Sequence, residues 1–273
     1  ENQYLFNKNI IKQNINQKFF IPILLSFGIY EKKLFKRLHL KVKKIIPVGN
    51  ILIEKYKIFK KKHKIKIKKK RQICLLSDHG AWQKKMNETD KNLEKNFILL
   101  ANFCLKFALK YKFKIIICEK RAKPKNKTPG PMSETDFYLE KNAYKKYLSI
   151  KYYNQFKKAL VKRDKNQFST YLKMEESDVL ICTMSTLLRE NLNLRNKIFA
   201  VNLTGKSIYN FPLNKFFSFN NNNYDNFEKK LLSIVKMSKK EYFNMAGKNL
   251  DFCILKNKSP VNKIRSELNK YLI

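Results

Sequence analysis

Glycine and proline are scarce in this chain, at 6 and 7 of 273 residues. That excludes collagen-like and linker-like chains, which need them in quantity. Long apolar runs are missing too. The longest, Phe19 to Tyr30, is broken by Pro22, Ser26 and Gly28 and falls short of the ~18 residues of a membrane-spanning helix. The five Cys (74, 104, 118, 182, 253) never take CxxC spacing, and their number is odd. With no recognisable signal peptide, this points to a reducing cytoplasm, not to a disulfide frame. The three His (39, 63, 79) form no metal-ligand pair, so no metal site is expected. Acidic residues are few, 21 against 60 Lys and Arg, for a net charge of +39.

Such a charge suggests nucleic acid, because cations release counterions from phosphate. The kind of cation argues otherwise. Only seven of the 60 are Arg (37, 71, 121, 163, 189, 195, 265), and Arg is the residue that reads bases and phosphates bidentately. The chain is also rich in Asn, Ile, Phe and Tyr, whose codons, like those of Lys, are AT-rich. A genomic base bias produces this composition without any nucleic-acid ligand, and none is expected here. The charge would still hold the protein near an anionic membrane at low salt.

Hydrophobic residues make up 44%, enough for a core. Three regions are expected: 1–70, the end of a preceding domain plus the basic run KKKHKIKIKKKR (60–71) as a solvated linker; 71–258, the main domain; and 259–273, a terminal helix. In the first, Lys44 to Val48 reads as a strand and Ile51 to Phe59 as a helix. From residue 72 strand and helix alternate. Ile73–Leu76, KIIIC (114–118), Asp178–Cys182 and Lys197–Asn202 are continuous apolar runs, as in strands covered on both faces. Phe216–Phe219 is a candidate fifth strand. Between them 88–111 carries a helical stripe from Leu93 to Leu109. Helices are also expected at 134–149, 167–176, 185–194, 224–236, 238–249 and from Ser259-Pro260 onward. This alternation implies an α/β fold with a parallel sheet, whose ligands sit at the carboxyl ends of the strands.

The most informative stretch is 177–205, SDVLICTMSTLLRENLNLRNKIFAVNLTG. A buried strand leads through Thr183-Met184 into a helix opening at Ser185-Thr186. Such an end offers free amides and partial positive charge to an anion. Glu190, one turn deeper, is placed to accept the hydroxyls of a ribose. Ser185 as a plain helix cap and Glu190 as a surface partner of Arg189 or Arg195 are the alternative.

This unit resembles the carboxyl-terminal half of GT-B glycosyltransferases, in particular the bacterial lipopolysaccharide and capsule enzymes. The resemblance runs through Ser177-Asp178, Ser185-Thr186, Glu190 and Lys197–Val201, and spans about residues 43–273. Ser26–Tyr30 and Ile45–Asn50 look like the end of the family's first domain. It implies a Rossmann-like nucleotide-binding domain with an incomplete or reduced amino-terminal portion. It also implies metal-independent transfer from a nucleotide-sugar donor, used as substrate with no cofactor, to a glycan or lipid-linked acceptor. The family's Gly-rich turn before the Ser-Thr helix is replaced here by Cys182-Thr183-Met184.

Further candidates end the other strands. In Ser77-Asp78-His79-Gly80, Ser77 and Gly80 are placed for phosphate and His79 for charge neutralisation or proton donation. Lys120 and Arg121 follow the second strand and would stabilise a leaving diphosphate. Thr204 and Gly205 follow the fourth. Two other readings remain open: a CDP-polyol phosphotransferase of the same fold, and a non-catalytic basic protein that binds nucleic acid, a membrane surface or a partner subunit.

Overall fold

The computed structural model describes residues 20–77, 91–118, 142–161, 168–183, 185–212, 216–247, 250 and 259–271. Two parallel sheets organise them. The smaller pairs β1 (Ile21–Ser26) with β2 (Val42–Pro47), joined by α1 (Tyr30–Arg37), and leads into α2 (Ile51–Lys62). The larger contains β3 (Gln72–Leu76), β4 (Lys114–Cys118), β5 (Val179–Cys182), β6 (Lys197–Val201) and β7 (Ser218–Phe219) in the order β4-β3-β5-β6-β7, all parallel. This is an α/β, Rossmann-like sheet. The continuous apolar runs explain it, since β3, β5 and β6 are buried along their whole length.

α3 (Lys91–Lys110) carries β3 across to β4. Its buried Phe97, Leu100, Ala101, Cys104, Leu105 and Ala108 recur at helical spacing, so one stripe faces the sheet. Each such Leu or Phe stabilises by roughly 1.5–3 kcal/mol. The segment expected as one helix over 134–149 is helical at 142–147. A new helix, α4 (Ile150–Ala159), follows it, capped by Ser149. The remaining 134–141 lies outside the described residues. α5 (Ser169–Glu176) precedes β5, and α6 (Thr186–Asn193) joins β5 to β6. The β3-to-β4 and β5-to-β6 crossovers run in opposite directions along the sheet. Right-handed connections therefore put α3 and α6 on opposite faces.

α7 (Tyr224–Lys236) is capped at its carboxyl end by a buried lysine. Lys197 Nζ donates to the carbonyls of Ile234, Val235 and Met237 at 2.8, 3.0 and 2.9 Å, which satisfies terminal acceptors and opposes the helix dipole. α8 (Lys239–Ala246) starts in a Ser238–Glu241 capping box. The final α9 (Pro260–Leu268) opens with Pro at its first position, as expected. It packs on α2: Glu54 accepts from Ser259 Oγ (2.7 Å) and from the Val261 amide (3.1 Å).

The run 60–71, expected as a solvated linker, is anchored at both ends. Lys60 pairs with Glu175 at 2.6 Å, Lys70 with Glu176 at 2.8 Å, and Lys69 donates to the Ser177 carbonyl at 2.6 Å. Burial, and then the neighbouring Lys239 charge, lower the Lys69 pKa to about 8. The folded state therefore holds this proton less tightly than the unfolded chain. Taken alone, this group makes unfolding free energy rise with pH from about 8 towards the usual lysine value. Buried Cys104 and Tyr242, which burial pushes up, act in the opposite direction. The excess of wild-type over Lys69→Met unfolding free energy in denaturant titrations should therefore grow across that range.

Candidate functional site

In chain order the large sheet reads second, first, third, fourth, fifth strand, so its direction of winding reverses between β3 and β5. Open α/β sheets bind ligands in the crevice beyond the carboxyl ends at that reversal. Ser77 follows β3 there, and Thr183 and Ser185 follow β5.

Ser185 is the N-cap of α6. Its backbone is extended and its Oγ accepts from the Leu187 amide at 3.2 Å. Thr186 beside it is exposed, and the first turn of α6 contains no acidic residue. The positive end of the helix is thus uncovered by its own sequence. Ser77 is buried, and its hydroxyl lies 3.0 Å from the Tyr144 hydroxyl. Ser177 and Asp178 stand at the amino end of β5, away from this crevice; Ser177 Oγ donates to the Lys173 carbonyl and accepts from Gln72. Burial pushes the Asp178 carboxyl up. Thr204 is buried, donating to Asn202 Oδ1 at 2.6 Å. Gly205 is exposed at φ +74°, a left-handed conformation that favours glycine. His79, Gly80, Lys120 and Arg121 lie outside the described residues.

Glu190 was expected to face a ribose. In the structure it is 3% exposed, and both its oxygens are engaged within the protein. Oε1 accepts from Asn50 Nδ2 at 2.9 Å and Oε2 from the Tyr171 hydroxyl at 2.7 Å. At 3% exposure the carboxylate presents little surface to a sugar hydroxyl. Asn50 cannot turn round, because its Oδ1 accepts from Leu52 and Ile53 as the cap of α2. Burial, and then the Glu190 charge, push the Tyr171 phenol up. Next to Glu190, Arg189 donates to Glu31 at 2.5 Å and lies over the rings of Phe27 and Tyr30. Consecutive residues of α6 thus grip both loops at the carboxyl ends of the small sheet.

Three residues of this region carried no signal for it in the sequence: Asn50, Tyr171 and Asn96. Asn96, on α3, is 1% exposed and ties two loops together. Its Nδ2 donates to Thr183 Oγ1 at 2.7 Å, and its Oδ1 accepts from the Leu203 amide at 2.6 Å. It fixes the loop before Ser185 against the loop after β6. Asn96→Leu should destabilise the fold by about 1–3 kcal/mol, the cost of orphaning a buried amide and hydroxyl. The midpoint of chemical denaturation reads it.

The same chain arrangement occurs in a sucrose-phosphate synthase. That structure, from Thermosynechococcus elongatus, superposes with a TM-score of 0.50 at 9% identity, over 96% of this chain and 60% of its own. The likeness is one of fold. The wall teichoic acid polymerase TagF gives 0.47 at 13% identity, over 91% of this chain and 57% of its own. The UDP-GlcNAc 2-epimerase of Neisseria meningitidis gives 0.43 at 14%, over 88% and 58%. The chain therefore spans about 60% of the synthase's length. No family model matches the sequence, and no curated protein matches it.

Proposed function

We propose that the chain is a GT-B-type glycosyltransferase of surface-glycan synthesis, moving a sugar from a nucleotide-activated donor to a lipopolysaccharide or capsule acceptor. The observation that carries this reading is the acid-free first turn of α6, with Thr186 exposed, at the sheet's winding reversal. Helix amides and the dipole favour a phosphate there. The synthase-like fold supports it, and that relative's name records a sugar phosphate as product.

In this reading the donor diphosphate lies at Ser185-Thr186, with Ser77 and Gly205 on neighbouring strand ends. The acceptor hydroxyl oxygen bonds to the anomeric carbon as the bond from that carbon to the phosphate oxygen breaks; the hydroxyl proton passes to water, and the electron pair leaves with the nucleoside diphosphate. Helix amides and the cations Lys120 and Arg121 stabilise that charge. Gly80 bounds the phosphate, and His79 supplies a proton to it. Glu190 is a positioning residue, holding α6 against Asn50 and Tyr171. The protein works at the cytoplasmic side of the membrane on a glycan or lipid-linked acceptor. Among the described residues no helix is long and apolar enough to cross a membrane.

Titration with UDP, GDP, CMP and CDP tests the reading. Saturable binding of one nucleotide supports it and names the donor; preference for CDP favours polyol-phosphate transfer. Absence of binding to all four removes the transferase reading.

A further inference from the structure

The corner between helix 142–147 and α4 has no role in the site, yet its chemistry is distinctive. Tyr144 and Leu148 point inward and are buried, and the Tyr144 ring stacks on Phe156 with centroids 4.2 Å apart. Tyr147 and Ile150 point outward, 52% and 78% exposed. Neither contributes much to the core at such exposure. Around them stand Lys145, Lys146 and Lys151, all exposed, with Lys157 and Lys158 further along α4. Across 142–161 there is no Asp or Glu. Lys146 lies over the Tyr147 ring at 5.0 Å, and Lys157 over Tyr153 at 5.0 Å.

Two features run against folding preference. Ile150 opens a helix at a solvent-facing position. Lys151 follows it in the first turn, where the dipole favours an acid and none is present. Both make sense against a surface that is apolar inside and anionic outside. An isoleucine and a tyrosine at the level of lipid headgroups, ringed by lysines, is the pattern of an interfacial anchor. The overall charge of +39 adds long-range attraction of the same sign.

We propose that the Tyr147–Lys151 corner docks the protein on an anionic lipid bilayer. The Tyr144–Ser77 hydroxyl contact places the corner at the carboxyl-end rim of the sheet, so docking turns that rim towards the lipid. That the docked site takes its acceptor from the bilayer rests on the transferase reading; the docking itself does not.

The test is co-sedimentation of the full chain with vesicles of phosphatidylcholine alone or mixed with phosphatidylglycerol, without nucleotide. Wild type should partition onto the mixed vesicles and little onto the neutral ones. Tyr147→Ser/Ile150→Asp should lower that partition by about tenfold with an unchanged thermal midpoint, because both side chains are exposed. Leu52→Ser/Ile58→Ser removes the exposed apolar pair of α2 (49% and 61%) and should leave partition as in wild type. Binding to soluble heparin should be nearly equal in all three proteins. The proposal is overturned if the corner variant sediments like wild type, if the α2 variant is the one that fails, if neutral vesicles bind equally well, or if heparin binding falls in step. Nucleotide titration is a separate readout, so either result can fail alone.

Discussion

Glu190→Ala should lower the unfolding free energy by about 3 kcal/mol. The residue is 3% exposed and accepts from Asn50 and Tyr171. Truncation leaves two buried donors without an acceptor, at about 1–3 kcal/mol each. The Asn50 amide cannot reorient to escape, since its oxygen caps α2. Glu190→Gln behaves differently. Its oxygen can take the Asn50 proton, and its amide can donate to the Tyr171 hydroxyl, which rotates to accept. The Tyr171 proton is then left without an acceptor, so the cost should fall to about half that of Glu190→Ala, one orphaned donor in place of two. Chemical denaturation of both variants measures this. Equal stability of Glu190→Ala and wild type would contradict the bridge. The same pair separates two roles in donor binding. If Glu190 only positions α6, Glu190→Gln binds nucleotide as wild type does; if a ribose displaces Asn50, it binds more weakly.

Thr186→Glu should produce opposite changes in stability and in binding. Thr186 is exposed in the first turn of α6, where a carboxylate complements the dipole. Stability should hold or rise by about 0.3–1 kcal/mol. A diphosphate at the same helix end would meet a like charge within a few ångströms. Affinity should fall by at least about tenfold, equivalent to about 1.4 kcal/mol, and the loss should shrink as salt is added. A variant that is at least as stable yet no longer binds cannot be explained by misfolding. Calorimetric titration with the nucleotide that wild type prefers reads the binding, and thermal unfolding reads the stability. Unchanged affinity would remove α6 from the donor site.

Legibility in the sequence followed the range of the interactions. β3, β5 and β6 show as unbroken apolar runs because both faces are covered, and α3 as a stripe because one face is. β1 did not show: Pro22 interrupts it, and its alternate residues are only partly buried, so IPILLS carries neither signal. α4 was missed because the expected helix ended at 149 and nothing was assigned to 150–159, where Ser149 caps a second helix. At the site, the Ser185 cap is a local feature and could be read from Ser-Thr after an apolar run. What Glu190 touches could not. Tyr171 lies 19 residues away and Asn50 140, and only the packing of α2 and α5 on α6 brings them together. Asn96 was hidden for the same reason: its two partners follow different strands, 87 and 107 residues on.

The central claim concerns where a phosphate binds, so a crystal structure soaked with the preferred nucleoside diphosphate tests it most directly. The account expects both phosphates beyond the carboxyl ends of β3 and β5, within hydrogen-bond distance of the Ser185–Thr186 end of α6. A diphosphate bound elsewhere, with that helix end facing only solvent, would contradict it.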